Sequence, residues 1–196
     1  RMEEEGLGAA EAVADVLRDN LHGLEIDERC TQIAAFNVAL RGWRLGGYQV
    51  LPQLHLACSG LAPNASKHDW MQLADRATAF LSVPPKRDLF GAEDNLFTKP
   101  LRAGMERLYD LFSQAPVLGS LIDPRSLGGD LLTADFHQLQ PVLEQALVRE
   151  TNENRRELAV TAQGLTKAAE ILADQFVLVA TNVPYLGRGR QDEALA

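Results

Sequence analysis

Apolar residues recur along this chain at two periods, and the change from one to the other divides it. Between roughly residues 61 and 165 the period is helical. Trp70, Leu73, Ala74, Ala77, Phe80 and Leu81 form a stripe that opens after Asn64 and Ser66 and closes before Pro84 and Pro85. Leu101, Met105, Leu108, Tyr109 and Phe112 form a second, between Pro100 and Pro116, and Leu139, Val142, Leu143, Ala146 and Leu147 a third. The clearest is Leu158, Ala162, Leu165, Ala169 and Leu172, on a helix that should return the chain to a strand at Phe176. Such stripes predict the core of a helical bundle. The span Ala115–Thr133, with Gly119, Pro124, Gly128 and Gly129, predicts a loop with one short extended piece at Leu118–Ile122.

Outside that region the apolar runs are short. A helix over Ala9–Asn20 leads into a strand, Leu21–Asp27, which ends in two carboxylates and is followed by a helix starting near Glu28. Gln53–Gly60 reads as another strand, with Cys58 and Ser59 at its end. Phe176–Gly187 reads as a buried strand that runs into a polar, rigid tip, Asn182-Val183-Pro184-Tyr185.

That tip suits a flat, polar-edged ligand. An Asn side chain carries one carbonyl acceptor and two amide donors, so Asn182 matches the mixed edge of a nucleobase. Pro184 fixes its own φ and stiffens the turn. Tyr185 offers a stacking face, worth roughly 1–3 kcal/mol per base in single-strand binders. At the other strand end, Glu25 stands where nucleotide-binding α/β folds place an acid that accepts from ribose hydroxyls. Asp27 serves either beside it or as the N-cap of the next helix.

Composition narrows the classes. With 196 residues, 46% of them hydrophobic, the chain can bury a sizeable core as one or two domains. A net charge of −8 is a poor match to DNA phosphates, so Lys and Arg grip on DNA must come from elsewhere or from local features such as Arg188 and Arg190, just past the tip. The two cysteines, Cys30 and Cys58, suggest no disulfide framework, and there is no apolar run of transmembrane length and no secretory signal. A cytoplasmic setting without membrane partners is therefore expected. The four histidines show no metal-ligand spacing, and His22 and His55 read as structural imidazoles within strands. No Gly-x-Gly-x-x-Gly, Gly-x-x-x-x-Gly-Lys-Ser/Thr or Gly-x-Ser-x-Gly pattern is present, and no internal repeat.

The tip resembles the Asn-Pro-Pro-Tyr motif of N6-adenine DNA methyltransferases, with Val183 in place of the first proline. Gly23 to Asn37, Gly-Leu-Glu-Ile-Asp-Glu-Arg-Cys-Thr-Gln-Ile-Ala-Ala-Phe-Asn, resembles the second motif of the same group. It is most similar to the large enzymes of phage-defence (BREX-type) and type IIG restriction-modification systems. The resemblance implies an α/β fold: a partial Rossmann-like S-adenosylmethionine-dependent methyltransferase with a large helical insertion. Residues 1–60 would belong to the catalytic domain, 61–165 to the insertion, and 166–196 to the return helix and motif-bearing strand. Glu25 would bind the cofactor ribose, Ile26 would pack on its adenine, and Cys58 or Ser59 would stand near that ring, where the family often has an Asp. Asn182, Val183, Pro184 and Tyr185 would be catalytic and hold the target adenine.

The implied cofactor is S-adenosyl-L-methionine, and the implied partners are DNA and other defence-system subunits. The family's glycine-rich first motif has no counterpart, so the chain reads as an internal part of a longer enzyme that would not catalyse alone. A methyltransferase-like module without activity, or an NAD-dependent oxidoreductase sharing the acidic strand end, are the other readings. The insertion, lacking a clear basic stripe, reads as a brace for the catalytic domain more than as a lid.

Overall fold

The computed structural model describes residues 6–80, 98–127 and 131–181. Helix α1 (Ala9–Asp15) continues through a π-helical turn, Val16–Asn20, into strand β1 (His22–Glu25). Helix α2 (Glu28–Gly46) crosses to strand β2 (His55–Cys58), which lies parallel to β1 with His22 opposite His55 and Glu25 opposite Cys58. A helical series follows: α3 (Lys67–Phe80), α4 (Thr98–Phe112), the single turn α5 (Ala115–Leu118), 3-10 turns at Gly119–Leu121 and Pro124–Leu127, α6 (Leu131–Arg149) and α7 (Glu153–Ala173).

The helix starts follow from local chemistry. Asp27 is the N-cap of α2, its Oδ1 accepting from Cys30 N at 3.0 Å, and this decides the role its position left open. The capping hydrogen bonds hold its carboxyl below the usual range. Asn152 caps α7 through Arg155 N, and Ser66 Oγ accepts from Asp69 N at the head of α3. Pro100 lies in the first turn of α4, where its missing N–H costs no hydrogen bond. Helix α2 stops at Gly47, whose φ of +79° a side chain would resist.

The core sits in the helical region, as the stripes predict. Trp70, Leu73, Ala74 and Ala77 of α3 meet Met105, Leu108 and Phe112 of α4, Leu139 and Leu143 of α6, and Leu158, Ala162, Leu165 and Ala169 of α7. The Phe80 side chain, Leu81, Pro84 and Pro85 lie outside the described part, as do Gly128 and Gly129. Helix α7 also packs on both strands, so Ala57 and Leu24 join the bundle core from the sheet.

Two expectations are corrected. Leu118–Ile122 is not extended: it carries the end of α5 and a 3-10 turn. Pro116 presets the helical φ near the start of α5, and Gly119, at φ +52°, then stops it. Residues 176–181 are irregular rather than a buried strand, and Val177, Leu178 and Val179 are exposed. A strand needs a partner edge, and the sheet of the described residues consists of β1 and β2 alone. Phe176 does reach the sheet, its ring 5.1 Å from that of His22.

Candidate functional site

Four of the residues singled out in the sequence, Glu25, Ile26, Cys58 and Ser59, meet at the carboxyl ends of the two parallel strands. In open α/β sheets ligands bind outside those ends. The ladder continues one step past β2, because Ser59 N donates to the Glu25 carbonyl at 2.8 Å. Cys58 Sγ donates to the Ile26 carbonyl at 3.3 Å. Ser59 is only 1% exposed and Cys58 is buried, so both hold the sheet end together from inside.

Glu25 and Ile26 face outward instead. One Glu25 oxygen, Oε1, accepts from the backbone N–H of Ile26 at 2.9 Å and of Asp27 at 3.3 Å. These bonds fix the carboxylate over the strand end and leave Oε2 without a hydrogen bond among the described residues. Ile26 is 52% exposed although its backbone is tightly enclosed. A Cβ on Gly60 would stand 2.1 Å from the Ile26 carbonyl oxygen, so glycine is what lets the two strand ends touch.

Sequence reasoning missed one member of this neighbourhood. Gly119, from the turn after α5, lies against the Ile26 side chain closely enough that a Cβ there would come within 2.8 Å of Cδ1. The turn after α5 therefore forms part of the wall beside Ile26. Its only sequence signal was a glycine beyond a short apolar run, a common pattern with no direction in it. A second missed feature is the His22–His55 pair at the opposite end of the strands; the same offset of each histidine from its strand's end was its available signal.

The chemistry of the strand ends is that of recognition. An exposed, backbone-anchored carboxylate beside a half-exposed aliphatic side chain can accept from a vicinal diol and cover the face of a flat ring. Desolvation and the carboxylates of Asp27 and Glu25 push the thiol of Cys30, on the first turn of α2, up, which disfavours its thiolate. No group of three His, Cys, Asp or Glu residues able to hold a metal exists among the described residues.

No protein-family model, curated protein or solved structure matches the chain. The tip residues Asn182, Val183, Pro184 and Tyr185, with Arg188 and Arg190 beyond them, lie outside the described residues, which end at Thr181. No helix among the described residues is long and apolar enough to cross a membrane.

Proposed function

We propose that this chain is part of an S-adenosylmethionine-dependent methyltransferase acting on adenine N6 in DNA, within a longer polypeptide of the restriction-modification or phage-defence kind. The observation that carries the reading is the pairing of the Glu25 carboxylate with the half-exposed Ile26 at the carboxyl ends of two parallel strands, crossed by a helix that Asp27 caps. These residues fit the nucleoside half of the cofactor. Glu25 Oε2 accepts from its ribose hydroxyls, and the free side of Ile26 covers its adenine.

The cofactor supplies an activated methyl on sulfonium sulfur. The chain's part is to hold the acceptor. Adenine N6 is a weak nucleophile because its lone pair is delocalised into the ring. The Asn182 side-chain carbonyl and the Val183 backbone carbonyl accept its two hydrogens and favour a pyramidal nitrogen, while Tyr185 stacks on the extruded base. Position and aligned dipoles make up the catalysis. With a net charge of −8, the phosphate grip comes mainly from other parts of the polypeptide.

Titration calorimetry of the chain with S-adenosylhomocysteine, in competition with NAD, tests the cofactor assignment. S-adenosylhomocysteine should bind, NAD should not displace it, and Glu25→Gln should weaken binding about tenfold or more, the loss of a charge-assisted hydrogen bond. Preference for NAD would overturn the assignment in favour of an oxidoreductase. In the longer enzyme, Asn182→Ala should abolish methyl transfer to adenine-containing DNA and leave cofactor affinity nearly unchanged. The burial of Cys58 and Ser59, together with Val183, favours one second reading, a module that holds cofactor or DNA without transferring a methyl. Labelled methyl incorporation separates the two.

A further inference from the structure

Strand β1 closes the sheet of the described residues on one side, and the hydrogen-bond phase fixes which of its groups are left over. Ser59 N donates to the Glu25 carbonyl, and in a parallel pair alternate residues face the same neighbour. Gly23 and Glu25 therefore turn their backbone groups to β2. His22 and Leu24 turn theirs outward, where they have no hydrogen-bond partner among the described residues. Neither proline nor lysine guards this edge, although such residues are the usual protection of an edge that stays open. An extended chain laid along it satisfies all four groups at once.

An unpaired apolar run starts beside that edge. Helix α7 ends at the amino ends of the strands, and Asp174, its C-cap, lines one cavity with His22 and His55. Two residues on, the Phe176 ring lies 5.1 Å from that of His22. A chain that leaves this end alongside β1 runs parallel to it. Residues 176–181, Phe-Val-Leu-Val-Ala-Thr, have the unbroken apolar, β-branched composition of a parallel strand covered on both faces, and α2 and α7 both pack on this sheet. Val177, Leu178 and Val179 nevertheless stand largely in solvent.

We infer that residues 176–181 add to the outer edge of β1 as a third parallel strand, with Phe176 level with His22. That register puts Leu178 beside Leu24, which packs on the bundle core, and turns Val177 and Val179 to the face on which Leu21 lines the apolar groove between α1 and α2. One movement of a segment whose first residue is already in place covers both the apolar side chains and the open backbone groups. The docking does not depend on the methyltransferase reading. Where both hold, Thr181 comes level with Asp27, at the carboxyl ends where Glu25 and Ile26 stand.

Native-state hydrogen exchange of the whole chain, read at the Leu24 amide, is the test. In the docked register Leu24 N–H donates to the Val177 carbonyl and Val179 N–H donates to the Leu24 carbonyl, whereas Leu178 N–H points away from β1. The Leu24 amide should therefore exchange about tenfold or more slowly in the wild type than in Val179→Pro, which removes a donor from the ladder. Leu178→Pro, whose lost N–H faces outward, should keep most of that protection. Both substitutions fall outside the helices, so the circular dichroism should be unchanged. A Leu24 amide that exchanges in the wild type as fast as an open edge, or is equally protected in Val179→Pro, would sink the docking. So would equal losses in the two proline variants, or protection that grows with protein concentration, the mark of a second copy on the edge.

Discussion

At the scale of single residues, the strand ends depend on the absence of one atom. Gly60→Ala would place a methyl 2.1 Å from the Ile26 carbonyl oxygen, and backbone has no rotamer by which to yield. Overpacking of this kind costs about 1–3 kcal/mol. Urea unfolding should register that loss, together with displaced amide resonances at Ile26 and Asp27. For Asp27 capping was one of two roles readable in advance, because capping is settled locally between a side chain and the next three residues, and the bond from Cys30 N selects it. Gly60 and Gly119 were not readable, since what each must avoid is Ile26, far away in the chain. His55 contributes a pH dependence near neutrality. Burial first, then His22 and Lys167, depress its pKa below the ordinary 6.5, against the smaller upward pull of its Arg18 backbone hydrogen bond and Asp19. Above that value the ring is neutral in both states and contributes nothing to the pH dependence. As pH falls below 6.5 the unfolded chain takes up a proton that the folded chain resists, so stability declines. Unfolding free energies at about pH 7.5 and about pH 5.5 should differ less in His55→Gln than in the wild type; equal differences would exclude His55 as the source.

At the scale of elements, periodicity carried most of the information. The four stripes became α3, α4, α6 and α7 because a helix face is set by residues three and four apart and needs no distant partner to be recognised. Trp70 shows how such a face is then fixed. It is 0% exposed, its ring meets Tyr109 at 5.9 Å, and its Nε1 donates to the Met105 carbonyl of α4 at 2.7 Å. Trp70→Ala should cost about 3–5 kcal/mol by denaturant unfolding. Trp70→Phe, which keeps an aromatic body but removes the donor, should cost less. The run Phe176–Thr181 shows the limit of the same reasoning. Its β-branched, apolar residues have the composition of a buried strand, but a strand exists only where an edge accepts its hydrogen bonds. That edge is a property of other segments, so composition could not locate it. The meeting of the carboxylate-bearing end of β1 with the Cys58–Ser59 end of β2 was recoverable for the opposite reason: the two strands are joined by one helix, and a parallel crossover leaves little freedom in where their ends fall.

Over the whole molecule, burial is unevenly shared. The bundle of α3 to α7 holds nearly all the large sealed side chains, from Trp70 and Phe112 to Leu143 and Leu165. Helix α2, nineteen residues long, buries only Gly42, and Ile33, Phe36 and Leu40 remain exposed along it. Between α1 and α2 lies an apolar groove of about 650 Å³ lined by Val13, Leu17 and Leu45. The strands bridge these two regimes through α7, which packs on β2 and β1, so the carboxyl-end site is anchored on the bundle side and loosely covered on the other. Local opening free energy follows buried apolar contact. Amides of α1 and α2 should therefore exchange by a sub-global opening that leaves α3 to α7 protected, with intermediate protection at Leu24 and Glu25. Native-state hydrogen exchange in low denaturant would show two isotherms, merging only near the global transition. A single isotherm for α2 and α7 would mean that the thin layer and the bundle unfold as one unit. If the proposed nucleoside site is right, saturating S-adenosylhomocysteine should raise protection at Glu25, Ile26 and the first turn of α2 more than in the bundle core. Ligand that holds the folded layer stabilises it by mass action, and the bundle, already at the global limit, gains only what the whole molecule gains.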